Sequence, residues 1–333
     1  MSAAPTYDLP EAAIAQTPAE PRDAARLLVD GIDGVEHHAV RELPHLLREG
    51  DLVVVNETRV LPARLALRKS TGGAVEVLLL EDLGDGTWRA LVRPGRRLPP
   101  GTVLDAGDLI VTIDERGDGG TRVVTLEADD VGAALAAHGV VPLPPYITTP
   151  LADPERYQTV YAATPGSVAA PTAGLHLTTA VLDGLAARGI EVASVDLHVG
   201  LDTFRPVTAA RIEDHEVHAE WYSVPESTLA AIERAERVVA IGTTTVRALE
   251  SALTFGERTG RTRLLISGDY EWKAVDVLLT NFHLPRSTLL LLVESFIGTR
   301  WRDLYAAALE EGYRFLSFGD AMLLTRQPVR SDA

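Results

Sequence analysis

The sequence contains no cysteine. Disulfides, thiolate nucleophiles and cysteine-held iron–sulfur clusters are therefore excluded. A targeting pattern is also missing: MSAAPTYDLPEAAIAQ has no basic stretch followed by an apolar run. Long hydrophobic runs are lacking too, and Leu289–Val293 is far too short to cross a bilayer. A cytoplasmic protein is expected. Basic residues are scarce, 31 against 47 acidic, for a net charge of −16. That balance disfavours a generic nucleic-acid binder and predicts weak non-specific binding, yet it leaves room for a local basic patch. Neither a repeat nor a long low-complexity linker is present.

What is there suits a folded body. The 333 residues are 46% hydrophobic and 23% charged, enough for one large or two modest domains. Asp51–Asn56 reads as a buried strand between turn residues. From Pro62 to Pro145, RLALRKS, AVEVLLLED, TWRALVRP, TVLDAGD, LIVTIDER and TRVVTLEA alternate with glycine turns. Short strands at that spacing predict a small β-barrel or sandwich, followed by a helix over Asp129–His138 stopped at Gly139. Beyond Thr148, helices and strands alternate. Helices are expected from Thr178 or Thr179 to Arg188, and over Pro225–Glu236, Thr243–Leu253, Ser287–Ile297 and Arg302–Glu311. Strands are expected over Ile190–Val199, Arg237–Gly242, Leu264–Ile266 and Ala274–Leu279. The expected architecture is an α/β main domain, 1–60 with 147–333, carrying an inserted β-barrel domain, 61–146.

Four polar clusters interrupt the apolar elements. Pro165–Thr178 is rich in small residues and holds Thr172 and His176 ahead of a helix. Its backbone N–H groups can meet an anion, or the loop is only a tight capped connection. Leu197–Val207 follows a strand with Gly200, Asp202, Thr203 and Arg205, while His198 reads as a satisfied core histidine. Nearby, His215, His218 and Glu220 do not match a trusted zinc spacing, and hydrogen bonding is preferred to metal. Val238–Ser251 runs a strand into Gly242, Thr243, Thr244 and Thr245, with Arg247 on the same helix face. Here a carboxylate or phosphate site competes with a plain capped helix bearing a surface arginine. Thr280–Leu290 places Asn281, His283 and Arg286 after a strand, where they can read a base edge or move a proton, or merely pin a loop. Arg59, Arg64, Arg68, Arg93, Arg96 and Arg97 form a basic side suited to phosphates, or are simply solvated.

These segments, with Tyr7–Val29, Gly50–Leu65, Trp88–Gly101, Val141–Ile147, Glu155–Ala162 and Tyr313–Leu324, resemble the S-adenosylmethionine:tRNA ribosyltransferase-isomerase family of queuosine biosynthesis. The resemblance runs nearly end to end and implies an α/β domain with an inserted β-barrel. It implies transfer of the ribosyl group of S-adenosylmethionine to the amine of 7-aminomethyl-7-deazaguanine in tRNA, giving epoxyqueuosine, with loss of adenine and methionine. A base would take a C5′ proton, which the sulfonium acidifies, and a donor would assist adenine. No metal, and no cofactor beyond S-adenosylmethionine as co-substrate, is expected. With no cysteine, a cluster-based radical route is closed.

His176 and His283 are the acid/base candidates. Thr243, Thr244, Arg247, Gly200 and Thr172 are expected on the S-adenosylmethionine side, with the two threonines and Arg247 on its carboxylate. Asn281, Asn56, Arg59, Arg93, Arg96 and Arg97 are expected to position nucleotide or tRNA. A monomer is expected. Asp202 and Glu294, both departures from the family pattern, add negative charge near these sites. They motivate an alternative in which a free deazaguanine or another small acceptor takes the ribosyl group. A non-catalytic RNA binder is opposed by the polar clusters at strand ends. A methyltransferase is opposed by the lack of a glycine-rich turn after an early strand.

Overall fold

The computed structural model describes residues 4–31, 34–95, 98–200, 212, 217 and 219–326. Its strands, in chain order, begin with Arg26–Gly31 (β1), Gly34–Ala39 (β2), Asp51–Asn56 (β3) and Thr58–Val60 (β4). Then come Arg64–Arg68 (β5), Ala74–Gly84 (β6), Thr87–Arg93 (β7), Thr102–Asp105 (β8), Ile110–Arg116 (β9), Arg122–Glu127 (β10) and Gly139–Val140 (β11). The last group is Thr164–Ser167 (β12), Glu191–Leu197 (β13), Glu220–Ser223 (β14), Arg237–Ile241 (β15), Thr259–Thr262 (β16), Val277–Asn281 (β17) and Ala321–Thr325 (β18). Helices are Leu43–Leu46 (α1), Val131–His138 (α2), Thr179–Ala187 (α3), Glu226–Arg234 (α4), Thr243–Phe255 (α5), Thr288–Ile297 (α6) and Trp301–Glu310 (α7).

A nine-stranded mixed sheet runs β16-β14-β13-β3-β15-β17-β18-β1-β2. Its centre, β13-β3-β15-β17, is parallel. Every residue of β3 is buried, as a strand covered on both faces requires. After β3 the chain returns to one side of it as β13 and then crosses to the other side as β15. The crevice beyond the carboxyl ends at such a reversal is where open α/β sheets bind ligands.

All six expected strands between Arg64 and Glu127 form, and with β11 they make a seven-stranded antiparallel sheet, β11-β5-β6-β7-β10-β9-β8. The sheet curls far enough for Lys69, just past β5, to bridge Leu104 of β8. Leu65, Val77, Leu79, Ala90, Val111, Ile113 and Val124 fill its own core.

Several expectations are corrected. Leu264–Ile266 is not a strand. The Leu264 N–H goes to Thr262 Oγ1 at 3.0 Å and its carbonyl accepts from Arg247 Nε at 3.3 Å, so the backbone is satisfied off the ladder. The edge strand is β16 instead. The strand expected from Ala274 starts at Val277, because the buried Glu250 carboxylate takes the N–H groups of Lys273, Ala274 and Val275. The N-terminal region supplies β1 and β2 as well as β3, and β14 and β18 were not foreseen. Among the described residues no helix is long and apolar enough to cross a membrane.

Candidate active site

Three elements meet at the carboxyl ends of β3, β15 and β17. Asn56 closes β3. Its Oδ1 accepts from the N–H groups of Thr58 and Leu197, and its Nδ2 donates to Leu197 O at 3.0 Å and Thr244 Oγ1 at 3.3 Å. It is fully buried with every site used. The structure thus gives Asn56 a framework role, tying strand ends together, rather than the substrate contact expected for it.

Gly242 links β15 to α5 with φ of 87°, a turn that side chains other than glycine's resist. Thr243 and Thr244 follow in the first turn, whose N–H groups lack helical partners. Thr245 turns inward and donates to Ile241 O at 2.7 Å. The end of β17 brings Thr280 and Asn281, and His283 follows two residues on. The 3-10 turn Thr172–His176 closes the other side. Together Thr172, Thr243, Thr244, Asn281 and His283 line a pocket of about 50 Å³.

Asn281 is 2% exposed. Its Nδ2 donates to Leu316 O at 3.0 Å and to His176 Nε2 at 3.1 Å, and its Oδ1 is buried with no partner. An unpaired buried carbonyl oxygen is costly unless a ligand donor meets it. Since Nε2 of His176 accepts, its proton sits on Nδ1. His176 does not line the pocket but stands behind Asn281, so the first acid/base candidate touches the pocket only through a neighbour. His283 does line the pocket, and its Nε2 is 2.9 Å from Thr280 Oγ1. Burial lowers His283 to about 3. Burial, then the charge of Arg314, lowers His176 to about 4, against the pull of its bond from Asn281. Both rings are neutral near pH 7. Neither then carries the extra proton an acid would need.

Arg247 does not join the threonines. It pairs with Glu220 of β14, whose other oxygen accepts from Gly200 N at 2.9 Å. Burial lowers Arg247 to about 10, and its Nη2 has no partner. Gly200, Glu220 and Arg247 line a second, larger space, a cleft of about 1560 Å³ between the two sheets. Val199 and Leu289 border both spaces, so the pocket and the cleft adjoin.

The remaining predicted residues lie apart. Arg59 pairs with Glu155 at 2.7 Å on the surface, which competes with its expected substrate role. Arg93 is exposed at the end of β7, while Arg96 and Arg97 lie outside the described residues, as do Asp202, Thr203, Arg205, His215 and His218. Glu294 accepts from Trp301 Nε1 at 3.0 Å and lines neither space, so its charge is turned toward α7. Thr280 and the cleft residues Trp88 and Trp221 carry no sequence signal of a site, because a threonine or tryptophan within a strand reads as structural.

The sequence profile of the family described as Queuosine biosynthesis protein matches residues 3–324. The chain belongs to that family. A relative from Rubrobacter xylanophilus, named S-adenosylmethionine:tRNA ribosyltransferase-isomerase, is 54% identical over 96% of each chain. One of the same name from Thermotoga maritima is 48% identical, over 96% of this chain and 98% of the relative. A crystal structure titled S-adenosylmethionine tRNA ribosyltransferase, also from Thermotoga maritima, is similar with a TM-score of 0.54 and 38% identity. It covers 96% of this chain and 98% of its own. The family resemblance seen in the motifs is thereby established across the chain.

Proposed function

We propose that the protein transfers and isomerises the ribosyl moiety of S-adenosylmethionine onto 7-aminomethyl-7-deazaguanine in tRNA, releasing adenine and methionine. One observation carries the reading. At the sheet's reversal point, within a chain so similar to proteins named for this activity, a small pocket joins a helix start, an unpartnered amide oxygen and a neutral imidazole.

Each part has a use in that reaction. The free N–H groups at Thr243 and Thr244 suit the methionine carboxylate. Asn281 Oδ1 suits a donor on the nucleoside or the amino group. Thr172 closes this side. His283, neutral at the pocket wall, is the candidate to accept the acidified C5′ proton, while His176 fixes the orientation of Asn281. Arg247 and Gly200 border the cleft, where the acceptor enters. The cleft is far larger than a free base requires, which favours tRNA over the small-molecule acceptor. We take residues 61–146 as an inserted domain forming one wall of the cleft, with 1–60 and 147–333 forming the other. The protein works as a cytoplasmic monomer with no metal and no cofactor beyond its co-substrate.

The test offers S-adenosylmethionine with unmodified tRNA, with tRNA carrying the deazaguanine, and with the free base. Turnover of the modified tRNA alone is expected. Turnover of the free base alone would overturn the tRNA acceptor.

A further inference from the structure

His198 follows β13 and lines the large cleft. Its ring is held from three sides. The indole of Trp221 packs on it with centroids 4.5 Å apart. On the Gly166 side, a Cβ added to the glycine would lie 2.2 Å from Cε1, 2.4 Å from Nε2 and 2.6 Å from Nδ1, so only a bare backbone can approach so closely. Behind the ring, Asp196 Oδ2 stands 3.4 Å from Nε2. Asp196 and His198 are two apart along extended chain and share a face. The His198 N–H also donates to Trp221 O at 3.0 Å, fixing the backbone.

This is a costly arrangement for a core histidine. Nε2 is enclosed and makes no well-formed hydrogen bond beyond its approach to Asp196, and the Oδ1 of Asp196 is buried without a partner. Among the described residues Nδ1 makes no hydrogen bond, and the half-buried ring lines the cleft. The carboxylate favours the tautomer with the proton on Nε2, which leaves the Nδ1 lone pair free. An imidazole oriented by a carboxylate and presented to a cleft is a proton acceptor in wait.

We propose that His198 takes the proton of the acceptor's primary ammonium group, with Asp196 as its positioning residue. The inference rests on the proposed function, in which the acceptor bears an aminomethyl group. An alkylammonium has no lone pair with which to attack carbon. One N–H bond breaks, its electrons stay on nitrogen as the nucleophilic pair, and the proton binds Nδ1. The imidazolium so formed sits beside the Asp196 carboxylate. No electrons are lost or gained overall. Among the described residues the other charged groups lining the cleft are Glu220, paired with Arg247, Glu81, paired with Arg89 and Arg261, and Asp82, Asp118 and Arg263.

The test uses the full chain with S-adenosylmethionine and tRNA carrying the deazaguanine. His198→Ala, His198→Gln and Asp196→Asn are compared with wild type in single turnover. Binding of S-adenosylmethionine and of the tRNA is measured separately, and the fold is checked by circular dichroism. His198→Ala and His198→Gln are expected to slow turnover by about 10²-fold or more, the usual worth of a positioned base, with both affinities nearly unchanged. Added imidazole is expected to restore part of the His198→Ala rate. Asp196→Asn removes the carboxylate that orients the ring, so it is expected to lower kcat with KM nearly unchanged. Near-normal turnover of His198→Ala would overturn the inference, as would a loss matched by weakened binding or one that imidazole does not relieve. An unchanged kcat in Asp196→Asn would show that Asp196 does not position the ring. Wild type inactive on this tRNA but active on another acceptor would overturn both this inference and the reading beneath it.

Discussion

Asn281 donates to His176 across 3.1 Å, and that bond makes the histidine an acceptor and turns the amide oxygen away from it. The pairing explains why two polar residues 105 positions apart are both buried, Asn281 at the pocket wall and His176 behind it. Replacing Asn281 with Leu removes the donor and strands the His176 nitrogen. A destabilisation of about 1–3 kcal/mol is expected by denaturant titration, the usual penalty of an unmet buried polar atom. Affinity for S-adenosylmethionine, measured by calorimetry, is expected to fall as well. Unchanged affinity would show that the free amide oxygen meets no ligand.

The buried histidines predict how stability varies with pH. Both have folded values below the ordinary 6.5, about 4 for His176 and about 3 for His283, so the unfolded chain binds more protons between those limits. Their contribution is complete above pH 6.5 and is lost as pH falls toward 4 and then 3. Thermal midpoints are expected to drop through this window, and His283→Gln is expected to flatten the lower part. An equally steep profile in that variant would assign the acid sensitivity elsewhere.

The Arg247–Glu220 pair, with side chains 12% and 9% exposed, gives a prediction by subtraction. Arg247→Met removes the cation beside the buried Glu220 carboxylate and is expected to cost up to about 3–5 kcal/mol. The double variant Arg247→Met with Glu220→Leu is expected to be more stable than the single one, as read by urea unfolding. A double variant no more stable than the single one would mean that Glu220 is needed chiefly to hold Gly200.

Arg93, Arg96 and Arg97 are tested by salt. If they meet phosphates, each change to Ala is expected to reduce the slope of log affinity for tRNA against log salt by about 1. Unaltered slopes would leave them as solvated charges and shift the tRNA surface to the cleft arginines.

Periodicity made much of the frame legible. Asp51–Asn56 reads as a buried strand because it is one, and the glycine-punctuated strands from Arg64 to Glu127 all form. Turn residues marked the helix starts: Thr178 and Ser287 accept from the N–H groups of Val181 and Leu290. Sequence reading failed where side chains satisfy backbone. Glu250 delays β17, and Thr262 pulls Leu264 off the ladder. Strand-end position pointed to Thr243, Thr244, Asn281 and His283, which line one pocket, since each lies at or just past the end of an apolar run. It could not show that Asn56 is saturated, that Arg247 faces Glu220, or that His198 opens to a cleft. Those facts depend on contacts between residues 20 to 188 positions apart, which no local pattern records.

The central claim is ribosyl transfer from S-adenosylmethionine to tRNA. The most direct measurement incubates the protein with S-adenosylmethionine and tRNA carrying 7-aminomethyl-7-deazaguanine, then determines the nucleoside mass and the released adenine together. A nucleoside heavier by the ribosyl-derived group is expected, with one adenine freed for each one formed. Adenine release without a change in the tRNA, or an unaltered tRNA with no adenine, would contradict it.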